Sequence, residues 1–178
     1  MKLQRRPRRA LLVVHVAASA SWLGVSLGLL ALAITATATG AGPAVEASAR
    51  SMKLFADWLV LPLALLTLLS GLVLSLGTRW GLARHRWVYV KFWLTLATTA
   101  ASIFALRPGV NDAVATLADG GRLTRPTDLL AGPIVSLTSY AFMTAISVLK
   151  PWGLTRRGRK HRGTARKAVD ATGPSPTA

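Results

Sequence analysis

Four apolar stretches, each long enough to cross a lipid bilayer, constrain this chain more than any other feature. They run from about Ala10 to Thr39, Phe55 to Leu76, Trp87 to Leu106 and Leu129 to Leu149. A helix needs roughly 20 mainly apolar residues to cross about 30 Å of hydrocarbon. Only helices and closed barrels satisfy all their backbone polar groups in that medium. Spread over 178 residues, the four stretches leave little room for a soluble domain. The fold class expected is therefore all-α: a four-helix transmembrane bundle over residues 10–152, preceded by a basic segment, 1–9, and followed by a basic tail, 153–178.

Charge separates cleanly from hydrophobicity. The net charge is +16, yet 52% of the residues are hydrophobic, so basic groups must sit between and beyond the apolar stretches. The N-terminus, the second connection and the C-terminal segment together hold 16 Lys and Arg, while the first and third connections hold 5 (Arg50, Lys53, Arg107, Arg122, Arg125). The positive-inside rule then places both termini in the cytoplasm. Trp58, Trp80, Trp87 and Trp152 fall at the ends of spans, where amphipathic rings prefer the headgroup level. Arginine outnumbers lysine 16 to 6 and alanine is abundant, as in GC-rich bacterial genomes, so the expected location is a bacterial plasma (inner) membrane.

Local signals set the boundaries. The first apolar stretch exceeds 20 residues, against about 7–15 in a signal-peptide core, and reads as a retained span. Gly42-Pro43 marks a helix start. Pro62 lies inside the second span, where it frees a carbonyl near Trp58 and predicts a kink. Arg107-Pro108-Gly109 reads as the stop of the third span, with Val110 to Ala118 as a separate short surface helix. The polybasic run Arg156 to Lys167 lies beside the last span, so it reads as a topology signal attracted to anionic lipid headgroups, not as a nucleic-acid site. The Thr- and Pro-rich end is expected to be disordered.

Two ionisable residues lie inside spans, His15 and Lys91. Such groups cost about 2.5–3.5 kcal/mol or more in hydrocarbon, so they should face the bundle interior or reach an interface. Both lie within a turn or two of the cytoplasmic face, at similar depth, and could meet. Residues spaced 4, 3 and 4 apart share one helix face. His15, Ser19, Trp22 and Ser26 form one such stripe, Lys91, Thr95, Thr98 and Ser102 a second, and Ser136, Tyr140, Met143 and Ser147 a third. Three stripes of this kind can line one interior, giving a candidate polar site around His15, Trp22, Lys91 and Tyr140. The bland alternatives are that Lys91 snorkels to the surface, that His15 only bonds across helices, and that the hydroxyls only pack helices. Ala20, Gly24 and Gly28 make a small-residue face opposite the histidine, suited to close approach by another helix. Asp57 lies near the outer interface, where water or Arg107 would pair with it.

The spacing His15-(six residues)-Trp22-Leu23-Gly24, together with Arg84-His85-Arg86-Trp87-Val88-Tyr89-Val90-Lys91 at the start of the third span, resembles the four-helix membrane proteins grouped around the CopD copper-resistance proteins. That grouping includes HemJ-type protoporphyrinogen oxidases and predicted integral membrane families with no assigned activity, and the chain looks most like one of the latter. The resemblance spans roughly Ala10 to Trp152. It implies that His15 ligates a b-type haem iron, with Lys91 acting beside it; one axial histidine suffices for haem.

His85 and His161 fall in basic surface segments, so a bis-histidine cytochrome is not expected. Cysteine is absent, which excludes disulfides and a thiol nucleophile, and with only Met1, Met52 and Met143 for sulfur ligands, copper transport is poorly supported. No paired carboxylates, nucleophile or phosphate-binding motif names a reaction. The reading is an integral membrane protein with a polar intrabundle site, possible haem ligation at His15, and as alternative a non-enzymatic assembly partner or carrier, acting as a homo-oligomer or with a membrane protein partner.

Overall fold

The computed structural model describes residues 4–39, 42–77, 85–149, 153, 155 and 159. Within them the chain is helical, with four helices long and apolar enough to cross a membrane: α1 (Arg5–Thr39), α2 (Pro43–Gly77), α3 (Arg86–Ala118) and α4 (Asp128–Leu149). Arg79, Arg84, Trp80, Trp152 and most of the polybasic tail, all used above for topology, lie outside the described residues.

The helices are longer than the apolar stretches. α1 and α2 have 35 residues each and α3 has 33, about 50 Å at 1.5 Å per residue against about 30 Å of hydrocarbon. α1 starts within the basic run, at Arg5, rather than at Ala10. α2 opens at Gly42-Pro43, with proline in its first turn, as the dipeptide indicates.

The expected stop at Arg107-Pro108-Gly109 is not one. The helix runs through it to Ala118, so the third span and the short surface helix are a single element. The reason is a π turn, Ser102–Leu106, just ahead of Pro108. Proline lacks an N–H and its ring crowds the carbonyl four residues back, here that of Phe104; a locally widened turn accommodates both effects. The same device occurs in α2, where the π turn Ala56–Val60 precedes Pro62 and stands where the kink was expected. The two π turns pack against each other.

α3 stops only at Gly120. This residue takes φ +73, its N–H donates to the Leu117 carbonyl (3.1 Å), and Gly121 N–H donates to that of Thr116 (2.9 Å). This paired pattern closes a helix C-terminus and needs a residue tolerant of positive φ.

Consecutive helices pack side by side, and α4 returns to pack against α1, closing a ring of four. Its polarity is the reverse of a water-soluble bundle. Buried positions include Ser26, Thr67, Ser70, Ser75, Thr95, Thr98 and Thr99, while Leu27, Leu69, Val73, Trp93, Phe104 and Val148 point outward. Large apolar groups outside, with alanine and hydroxyl residues inside, suit a lipid solvent, where helices associate through close packing and hydrogen bonds rather than hydrophobic burial.

At the end opposite the N-terminus, the four helices share an apolar core of Leu29, Ala33, Ala36, Val45, Met52, Val60, Val110, Ala113 and Leu129. Over it, Asp57 accepts from Lys53 Nζ (2.9 Å) and from Arg107 Nη2 (2.9 Å), and Lys53 also donates to Asn111 (2.5 Å). This network ties α2 to α3 beside the π turns.

Candidate ligand cleft

A cleft of about 280 Å³ lies at the N-terminal end of the bundle, bounded by α1, the second half of α2 and the first half of α3. That is just below the roughly 300–1,000 Å³ usual for small-molecule sites. Both His15 and Lys91 line it, so the structure brings together the two intramembrane ionisable residues without bonding them to each other.

The imidazole is held from α2. His15 Nδ1 lies 3.1 Å from the Thr67 carbonyl and 2.9 Å from Ser70 Oγ, and Ser70 spends its own hydrogen on the Leu66 carbonyl (2.5 Å). Both groups facing Nδ1 are therefore acceptors, which puts the hydrogen on Nδ1. In the neutral ring Nε2 keeps a lone pair, and it has no hydrogen-bond partner among the described residues. The ring can lie this close to α2 because residue 71 is glycine: a Cβ there would stand 3.0 Å from His15 Cε1 and 3.9 Å from Nε2.

Lys91 is held from the other side. Its Nζ donates to Ser147 Oγ on α4 (2.7 Å), and Ser147 passes its hydrogen to the Met143 carbonyl (2.6 Å). The ammonium therefore meets a hydroxyl and no carboxylate. Arg8 also lines the cleft, which has no acidic residue in its wall among the described residues. Thr67 also lines the cleft; the residue is 5% exposed, and its Oγ1 is buried with no hydrogen-bond partner among the described residues.

Trp22 and Tyr140 belong elsewhere. Their rings meet edge to face, with centroids 5.2 Å apart and planes at 86°, in a small buried cluster with Ala64 and Met143. The Tyr140 hydroxyl is buried there without a partner among the described residues. Beyond this layer lies a second cavity, of about 220 Å³, lined by Trp22, Thr98, Ser102 and Asp128 and by Ser26 and Ser136, whose hydroxyls bond across α1 and α4 (2.9 Å). The four residues grouped from the sequence thus divide into a cleft pair and a dividing aromatic pair.

The three stripes face inward as spaced, with Trp22, Ser26, Thr95, Thr98, Tyr140 and Met143 all buried. The small-residue face does not behave as expected. A Cβ on Gly24 would meet nothing within 4 Å, and one on Gly28 would meet only the Phe55 ring, so no helix backbone among the described residues uses that face. The backbone approach that glycine permits is at Gly71. Thr67, Ser70 and Gly71 were not singled out from the sequence, although polar residues interrupting the leucine-rich run of the second span were a visible signal. Arg8 was counted there only toward topology.

Among the described residues no group of three or more His, Cys, Asp or Glu converges as a metal site. The chain matches no protein-family profile, no curated protein and no solved structure. Fold and site together define its class, a helical protein with four potential membrane spans and a ligand-sized cleft at one end of the bundle.

Proposed function

We propose that this chain is a bacterial plasma-membrane protein, with both termini in the cytoplasm, that binds a ligand in the His15–Lys91 cleft rather than catalysing a reaction. The observation that carries the reading is the arrangement of polar groups around one cavity: an imidazole fixed by α2 through Nδ1 with Nε2 left unpartnered, and an ammonium with no acidic partner, both among the described residues. Buried polar groups are ordinarily satisfied, and intramembrane ionisable groups ordinarily mark function.

The test is mass spectrometry of small molecules extracted from detergent-purified protein. The wild type should retain a compound that His15→Ala and Lys91→Ala lose. Identical extracts from all three would defeat the proposal. Stable co-purification of a partner protein with both variants functionally silent would favour the assembly-component alternative.

A second reading, b-type haem, is favoured by one specific feature. A ligating histidine usually donates its other N–H to a carbonyl or carboxylate, and His15 does this through Nδ1, leaving Nε2 open. The donor chemistry fits, with Arg8 and Lys91 available for the propionates. At about 280 Å³ the cleft is smaller than a whole tetrapyrrole, so part of the macrocycle would lie outside it. Haem would bring redox chemistry; the protein's share would be to ligate through His15 and to orient the carboxylates. Protein from cells supplied with ample haem should show a Soret band that shifts with dithionite and is lost in His15→Ala. A colourless preparation removes this reading.

A further inference from the structure

The cleft at the N-terminal end of the bundle combines unbalanced positive charge with apolar walls. Arg8 and Lys91 line it beside the neutral imidazole of His15, with no carboxylate among the described residues, and the acidic residues with described positions, Glu46, Asp57, Asp112, Asp119 and Asp128, belong to the other half of the fold, on the first half of α2, on the second half of α3 or just past its end, and at the start of α4. No acid of the described chain is therefore placed to neutralise these cations. Lys91 donates to a serine hydroxyl, which satisfies a hydrogen bond but not a charge. An ammonium in that position carries the cost of partial removal from water without the compensation an anion supplies.

Most of the remaining wall is apolar, with Ser75 and Thr95 as further hydroxyl residues. Leu12, Leu68, Leu72, Leu74, Val88 and Phe92 supply its apolar part, and Leu12 is 49% exposed on the outer surface of α1, so the cleft is continuous with the lipid-facing side of the bundle. Arg8 lies seven residues before His15 on the same helix, about 10 Å along the axis, which puts a guanidinium toward the headgroup level and the apolar wall deeper. A soluble anion would match the cations and waste the leucines. A neutral lipid would match the leucines and leave the cations unpaired.

We propose that the cleft takes an acyl lipid with an unshielded acid group, phosphate or carboxylate, from the surrounding leaflet, the acid group engaging Arg8 and Lys91 and the chain lying along the leucine wall. The proposal rests on the reading of this cleft as the ligand site and names the ligand class for it. Arg8 and Lys91 supply the donors that charge-assisted recognition of phosphate and carboxylate uses.

The test is native mass spectrometry of the full-length protein released from detergent, titrated in parallel with dioleoyl phosphatidate, oleate, dioleoyl phosphatidylcholine, inorganic phosphate and haemin. Phosphatidate, oleate or both should bind at least about tenfold more tightly than phosphatidylcholine, and which of them does so identifies the acid group. Arg8→Gln and Lys91→Gln should each remove most of that preference, and Lys91→Arg should keep it, which separates loss of charge from loss of fold. Equal binding of phosphatidate, oleate and phosphatidylcholine overturns the proposal, as does an undiminished preference in both glutamine variants. Displacement of the lipid by inorganic phosphate at comparable concentration also overturns it, because the acyl chain would then contribute nothing. Retention of haemin alone, lost in His15→Ala, overturns the lipid assignment and leaves the cleft as the ligand site. Retention of none of the probes, with no compound in extracts of the wild type, defeats both.

Discussion

At the scale of single residues, the placement of His15 depends on what α2 lacks at position 71. A side chain there would begin 3.0 Å from the imidazole, so Gly71→Val should push the ring off the Thr67 carbonyl. Overpacking of this kind costs about 1–3 kcal/mol, and thermal unfolding in detergent should fall accordingly, with cleft ligand lost as in His15→Ala. A Gly71→Val protein with unchanged melting and unchanged ligand would refute the contact. The Ser26–Ser136 bond is a smaller matter. Interhelical hydrogen bonds in membranes average about 0.6 kcal/mol by double-mutant cycles, and a cycle of Ser26→Ala and Ser136→Ala should return a coupling of that order; zero coupling would mean the two hydroxyls do not bond in the membrane. Asp57 makes two ion pairs, but its partners Lys53 and Arg107 are 41% and 37% exposed at the side chain. After discounting for solvent, Asp57→Ala should cost about 1 kcal/mol or less in a chemical-denaturation measurement.

At the scale of elements, the π turns ahead of Pro62 and Pro108 let long helices pass through proline without ending. Each contains one residue more than a regular turn would use, and this yields a register test. Deleting Leu59 in a Pro62→Ala background should restore an α turn and leave the later half of α2 facing as before. Deleting Leu65 in the same background should rotate Thr67, Ser70 and Gly71 by about 100° away from His15. The first variant should keep wild-type melting and ligand retention, and the second should lose both. Equal behaviour of the two deletions would show that the π turn does not set the register. The third-span stop was misread because Arg-Pro-Gly is a strong local breaker, and the interaction that overrides it, one π turn packing on another, joins residues about 46 apart in sequence.

At the scale of the whole molecule, the proposed orientation is open to direct measurement. A reporter active only outside the cytoplasm should work when inserted at Gly121 and fail when fused after Leu149; the reverse pattern would invert the topology and move the cleft to the other face of the membrane. The number of apolar helices, the helix start at Gly42-Pro43 and the inward stripes on α1, α3 and α4 were legible in the sequence, whereas the full lengths of α2 and α3 were not. Hydropathy, charge and helical periodicity are properties of neighbouring residues, and they accumulate along the chain without reference to other helices. Tertiary structure alone decided that His15 hangs from Thr67 and Ser70, that Lys91 reaches Ser147, that Trp22 and Tyr140 divide two cavities, and that Gly24 meets nothing. Those outcomes depend on how each helix is rotated and shifted against the next, which packing between distant segments sets and which no short stretch of sequence encodes.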